Sequence, residues 1–194
     1  MEQEAFATDE GNTDYLYTAE HLALLSGKKN HKKKNRVLHF KRLYPEYELS
    51  FVCPENFHML TKDIIAVEEE WFALQEERID SSFVERLEIY DACKFFDKLG
   101  LFGAVMYIDE MPAAMTLASE ISPGNFDIHF EKCYGEYADA GGFAMINQAF
   151  AEYLYEEYNA EWINREEDIG LPGLRRAKLS YHPDLMLGKY HSRF

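Results

Sequence analysis

Four stretches of the chain combine residue types that can do chemistry. In Leu174-Arg-Arg-Ala-Lys178-Leu-Ser-Tyr181-His-Pro183, helical spacing puts Leu174, Ala177, Lys178 and Tyr181 on one arc. A lysine on an inward arc is costly unless it is paired or lines a cavity, and desolvation lowers its pKa. It either pairs with Glu166, Glu167 or Asp168, or presents a cation to a ligand. Arg175 and Arg176 project elsewhere. Asn164-Arg165-Glu166-Glu167-Asp168 follows a short strand and precedes a helix. Ligands of open α/β sheets bind at that carboxyl edge, although four charges in a row also suit a solvated loop.

The strand Asp127-Ile-His-Phe-Glu131-Lys132 alternates so that Asp127, His129 and Glu131 share a face. A carboxylate with a histidine can serve as general base; a free sheet edge would carry the same pattern. Asn147, between Ile146 and Phe150, either faces the same cleft or flanks its helix. The fourth stretch is basic. Eight Lys or Arg and no acid lie between Lys28 and Arg42, so the other 12 basic residues face all 35 acids and the rest of the chain carries −23. On a helix, Lys29, Lys33 and Arg36 fall on the same side as Val37, Phe40 and Tyr44. Such a face lines a cleft that grips a phosphate-bearing ligand. Alternatively the helix starts later, or the lysine stems snorkel past the core.

The whole chain has a net charge of −15, which disfavours unspecific binding to DNA and anionic membranes. No apolar run reaches the ~18 residues of a membrane span, and Met1-Glu-Gln-Glu is no secretory signal. Cys53, Cys93 and Cys133 are widely spaced and odd in number, which reads as reduced thiols in a cytoplasmic protein. No Cys or His spacing suggests a metal site. No nucleophile elbow, P-loop or dinucleotide fingerprint occurs. Gly141-Gly142 could let a phosphate approach main-chain N–H groups.

The elements that must position these residues follow from periodicity and caps. Residues 1–13 read as a frayed end, and 14–45 as a basic helical arm. Within the arm, Thr18 caps a short helix ended by Gly27, and a second helix runs from Asn30 to Leu43. Residues 46–194 form the main domain. Strands are expected at Tyr47–Cys53, Leu101–Ile108, Ala113–Glu120, Phe126–Cys133, Trp162–Asn164 and Leu185–Tyr190. Helices are expected at Asp63–Glu77, Ser82–Leu99 (with a Ser82/Glu85 capping box), Asp139–Tyr158 and Pro172–Leu179. That order gives an α+β layered protein with a mixed central sheet flanked by helices. It is the order of the GNAT (acyl-CoA N-acyltransferase) fold.

Several segments together resemble the uncharacterised bacterial family related to the C-terminal domain of phosphatidylglycerol lysyltransferase. They are Asp14-Tyr-Leu-Tyr17, Leu25 to Asn35, Phe40 to Pro45, Phe130-Glu-Lys132, Ile146-Asn-Gln148, and Asn164 to Gly170 through Leu174 to Pro183. The resemblance implies a GNAT-like fold of the Fem-like transferases, which take an amino acid from aminoacyl-tRNA. It implies that Lys178, and Lys178 only, steadies the oxyanion of a tetrahedral intermediate; Glu131 is the second catalytic candidate, from the strand reading above. Lys29, Lys32, Lys33 and Arg36 would hold tRNA phosphate or another anionic donor. Asn147, Asn164, Arg165, Glu166, Asp168, Arg175 and Tyr181 would bind substrate. The donor would be aminoacyl-tRNA or acyl-CoA, although the fuller Q/RxxGxG/A pattern of acetyl-CoA enzymes is lacking. A non-catalytic anion-binding module of the same fold is the rival reading. Relatives usually carry a further N-terminal GNAT domain, and this sequence begins almost at the linking helix, so the expectation is either a truncated product or a cleft with one half missing. They also usually carry Arg where Lys34 stands.

Overall fold

A computed structural model describes residues 6–53, 55–75 and 80–192. Seven strands form one sheet: β1 (Phe6–Thr18), β2 (Glu48–Val52), β3 (Leu101–Ile108), β4 (Met111–Ser122), β5 (Asn125–Cys133), β6 (Trp162–Asn164) and β7 (Leu185–Ser192). The helices are α1 (Ala19–Leu24), α2 (His31–Leu43, entered through a 3-10 turn over Lys28–Asn30), α3 (Phe57–Ala73), α4 (Asp80–Leu99), α5 (Gly135–Ala140), α6 (Gly142–Glu157) and α7 (Pro172–Leu179). Strand order is β2-β3-β4-β5-β6-β1-β7. Every neighbouring pair is antiparallel except β5–β6.

The parallel pair is short. Asn125–Asp127 match Trp162–Asn164. β5 then continues to Cys133 while β6 ends, so the two strands part and leave a wedge at their carboxyl ends. Apolar side chains fill the layers on both faces. One core holds Tyr15, Tyr17, Leu22, Phe40, Met106, Ile146 and Phe150 beneath α1, α2 and α6. The other holds Val52, Ile64, Ile89, Phe96, Val105, Met115 and Leu117 beneath α3 and α4. Each large buried side chain contributes ~1.5–3 kcal/mol. On this second face α3 lies over β3, β4 and β5. Beyond them, Leu185 and Leu187 of β7 stay 47% and 51% exposed.

Five expectations change. The frayed end is a strand from Phe6 onward, paired with β7 at Phe6–Thr8 and Thr13–Leu16 and with β6 at Leu16–Thr18; residues 1–5 lie outside the described chain. A polar, acidic sequence conceals the strand because β7 supplies its partner from the far end of the chain. Residues 14–45 share a core with residues 104–163, so no packing boundary falls at 45. The helix expected over Asp139–Tyr158 is two helices. Gly141 has φ 109°, and its α-carbon sits close enough to α2 that an added Cβ would meet Arg36 O at 2.9 Å. The Ser82/Glu85 box is not at a helix start, because α4 begins at Asp80 and Glu85 turns to Lys132. The expected end of α3 at Glu77 lies outside the described residues. Finally, α1 ends through Leu25 in the left-handed region (φ 44°), before Gly27. Among the described residues no helix is long and apolar enough to cross a membrane.

Candidate functional site

A bulge in β5 decides which side chains meet at the wedge. Leu117 on β4 faces Phe130, but its neighbour Ala118 faces Ile128, so His129 is an extra residue on β5. The bulge breaks the alternation expected from the sequence. Asp127 lies on the α3/α4 side with its ladder partner Ser119, while Glu131 lies on the α6 side with its ladder partner Thr116. The three acid and imidazole groups therefore do not share a face.

On the α6 side, Glu131 is the hub. Its carboxylate accepts from Arg165 Nη2 and from Asn147 Nδ2, each at 2.9 Å. Arg165 also lies over the ring of Tyr181, 4.8 Å from its centroid, and Lys33 Nζ stands 3.9 Å from the same centroid. Burial, then the Arg165 charge, pushes the Lys33 ammonium down to about 8. Three buried polar atoms around Glu131 have no hydrogen-bond partner in the protein: Thr116 Oγ1, Asn147 Oδ1 and Arg165 Nη1. Unpaired atoms in such number mark a place for water or a ligand group.

Lys178 is 6% exposed. Its Nζ donates to the main-chain carbonyls of Glu166 at 3.1 Å and Glu167 at 2.6 Å, and to that of Arg165. The carboxylates named by the sequence reading are not its partners. Tyr17 OH donates to the Lys178 carbonyl at 2.7 Å. The side chain thus pins the turn that aims Arg165 at Glu131. Burial, followed by the Arg165 charge, lowers its pKa to about 8.

The remaining candidates are distributed nearby. Asn164 and Glu166 point to the opposite face of the sheet: Asn164 Oδ1 accepts from Glu166 N at 2.9 Å, and Glu166 Oε1 lies 2.7 Å from His129 Nδ1. Asp168 is fully buried, accepting from Tyr15 OH at 2.6 Å and from Arg175 Nε at 2.7 Å. The Arg175 hydrogen bonds hold its carboxyl down to about 2. Arg175 is therefore committed to Asp168 rather than to the wedge. Lys29 is exposed, 3.7 Å from Asp184. Lys32 is exposed, and Arg36 donates to Asp139 O at 2.8 Å. So Lys33, Glu131, Asn147, Arg165, Lys178 and Tyr181 come together, with Lys29, Lys32 and Arg36 on a cationic rim.

Sequence reasoning missed Ser119, Thr116 and Lys132. Lys132 is buried beneath α4, 2.6 Å from Glu85 and 3.4 Å from the centroid of the Trp71 ring; its signal in the sequence is a lysine on the same strand face as Phe130. Two surface depressions lie away from the wedge. One of about 590 Å³ is lined by Thr18, Tyr155 and Trp162, the other of about 370 Å³ by Glu46, Tyr107 and Asp109. Among the described residues no group of His, Cys, Asp and Glu could hold a metal.

A mixed sheet that parts between two parallel strands, with helices on both faces, is a GNAT-like fold. The chain belongs to the phosphatidylglycerol lysyltransferase C-terminal family, whose profile matches residues 1–192. Among solved structures, a conserved protein of unknown function from Bacteroides thetaiotaomicron is 35% identical and superposes with a TM-score of 0.85, covering 97% of this chain and 62% of its own. The C-terminal domain of a candidate lysylphosphatidylglycerol synthetase from Agrobacterium fabrum is 14% identical, with a TM-score of 0.67 over 95% of this chain and 60% of its own. A tandem GNAT protein from the clavulanic acid biosynthesis pathway is 10% identical, with a TM-score of 0.53 over 97% of this chain and 56% of its own. The chain thus spans about three-fifths of the length of these three structures. Proteins of curated function gave no match.

Proposed function

We propose that the chain is an acyltransferase domain. It moves an aminoacyl or acyl group from an activated donor, aminoacyl-tRNA or acyl-CoA, to an amine or hydroxyl. The reading is supported by the family and by one observation: Thr116 Oγ1, Asn147 Oδ1 and Arg165 Nη1, all buried and unpaired, surround the Glu131 carboxylate. An acyl carbonyl would accept from Arg165 Nη1, and an attacking amine would donate to Asn147 Oδ1 or Glu131. Glu131 would take the proton the amine loses on attack and return it to the departing tRNA hydroxyl or CoA thiol as its bond to the acyl carbon breaks. Lys33 and the rim of Lys29, Lys32 and Arg36 would hold the donor's phosphates. Lys178 would act by holding the 165–167 turn, because its three protons already go to carbonyls. The test is transfer of a labelled acyl group from each donor to a panel of amines and alcohols. Glu131→Gln should lower product formation ~100-fold or more; equal product from this variant sinks the assignment.

The same fully occupied Lys178 favours a second reading, a non-catalytic module that binds an anionic ligand. It predicts tRNA binding that survives Glu131→Gln, disappears when Lys29, Lys32 and Lys33 become Glu, and is accompanied by no product from either donor.

A further inference from the structure

We propose that Ser119, His129 and Glu166 form a second chemical site, a serine nucleophile with its proton relay, which accepts acyl groups from activated esters such as thioesters and aryl esters. It lies on the α3/α4 side of the sheet, across the strands from the Glu131 cluster, and does not depend on the transferase reading. Ser119 Oγ is 2.8 Å from His129 Nε2, and His129 Nδ1 is 2.7 Å from Glu166 Oε1. With Nδ1 protonated, His129 donates to Glu166 and accepts from Ser119. Nucleophile, base and orienting carboxylate then follow one another in hydrogen-bonded order.

Each member is placed by a departure from regular structure. His129 is the bulge residue of β5, turned out of the ladder between Phe130 and Ile128. Glu166 has φ 55°, in the left-handed region, and is fixed there by the Asn164 side chain on its N–H. Backbone held in this region gathers at functional sites. None of the three is sealed off: Ser119 is half-buried, and the His129 and Glu166 side chains are 29% and 34% exposed. The surrounding face suits an acyl chain. Ser119 pairs with Asp127, Asp127 with Asn164, Asn164 with Leu16 and Leu16 with Leu185, one row across five strands on the same face. The row runs from the hydroxyl to the half-buried Leu16 and the exposed Leu185.

The chemistry balances with water alone. Ser119 Oγ bonds to the acyl carbon while its proton passes to His129 Nε2. The bond from that carbon to the leaving sulfur or oxygen breaks, and the leaving group takes the proton. A water oxygen then attacks the acyl-serine, gives its proton to Nε2, and Ser119 Oγ departs with it. Glu166 stays ionised throughout and holds the ring and its tautomer. These three groups supply attack and proton transfer, which suffices where the leaving group is already good.

The test uses the full chain with a fluorophosphonate probe and, separately, p-nitrophenyl acetate. Intact mass and peptide mapping should place one adduct on Ser119. The ester should give a burst of one p-nitrophenol per chain. Ser119→Ala should lose both and keep its melting temperature. His129→Gln and His129→Asn should slow labelling ~100-fold. In Glu166→Gln, the pH midpoint of labelling should move down, as expected of an imidazole that has lost its carboxylate. Absence of an adduct at Ser119, or labelling that is undiminished in both His129 variants, overturns the proposal.

Discussion

Lys33 Nζ stands 3.9 Å from the centroid of the Tyr181 ring, whose neighbour on that ring is the Arg165 guanidinium. A residue of the basic helix and a residue beyond α7 therefore cover the same ion pair, Glu131–Arg165. Both Lys33 and Lys178 titrate near pH 8, below the ordinary lysine value of 10.5. Between those two pH values each of these lysines binds more protons in the unfolded chain than in the folded one, so each contributes stability that rises with pH across that window. The buried Cys93 and Cys133 thiols, pushed up by burial to about 11 and about 12, contribute with the opposite sign. From pH 8 to 9.5 the melting temperature should therefore respond less favourably to rising pH in Lys33→Met than in the parent chain. An identical slope in the variant would show that Lys33 is not the group responsible.

Removing Lys178 tests the turn itself. Lys178→Met leaves the carbonyls of Arg165, Glu166 and Glu167 buried without their donor. One unsatisfied buried acceptor costs ~1–3 kcal/mol. With partial relaxation, a loss of ~2–4 kcal/mol in urea denaturation is expected. An unchanged midpoint would mean that the turn is held by other contacts.

Asp168 gives the opposite sign of pH dependence. Its carboxyl is held down to about 2 by the Arg175 hydrogen bonds, against an ordinary 3.8. Its contribution is present above pH 3.8 and is lost as pH falls toward 2. Asp168→Asn should therefore lower stability at pH 7 by ~1.5–3 kcal/mol, a charge-assisted hydrogen bond's worth. The deficit relative to the parent chain should shrink below pH 3, as measured by denaturation at pH 7 and pH 3.

Gly141 is the joint between α5 and α6. An alanine there must hold φ 109° and bring its Cβ within 2.9 Å of Arg36 O. Gly141→Ala should cost ~1–3 kcal/mol and weaken the Arg36–Asp139 contact of 2.8 Å. A variant with parental stability would show that α2 yields freely.

Much of this architecture is legible in the residues. Trp162–Asn164 and Pro172–Leu179 coincide with β6 and α7, and Leu101–Ile108 with β3. Their signals are local: an isolated apolar Trp162-Ile163 pair, a proline at the first helical position, a run following Gly100. The resemblance pointed to Lys178, and the charged loop and strand patterns to Arg165 and Glu131, three residues that the fold brings to one side of the sheet. What escaped has causes that are not local. β1 looks like a tail until β7 pairs with it. The bulge at His129 is an offset between two strands, and no single strand's alternation records an offset. Ser119 gains meaning only from His129 beside it, since a lone serine in Ala118-Ser119-Glu120 has no pattern to read.

The seating of β1 between β6 and β7 has a consequence for how the chain matures. Tyr15 pairs with Met186, and Tyr17 with Ile163. During synthesis the first strand leaves the ribosome long before either partner exists. At ~5–20 residues per second it waits on the order of ten seconds or more. Until then Tyr15 and Tyr17, both destined for the core, have no sheet to join. Closure of the sheet must therefore wait for β6 and β7, a long-range pairing. A nascent chain released before β7 emerges would present an unpaired strand edge to whatever chaperone or neighbour meets it first.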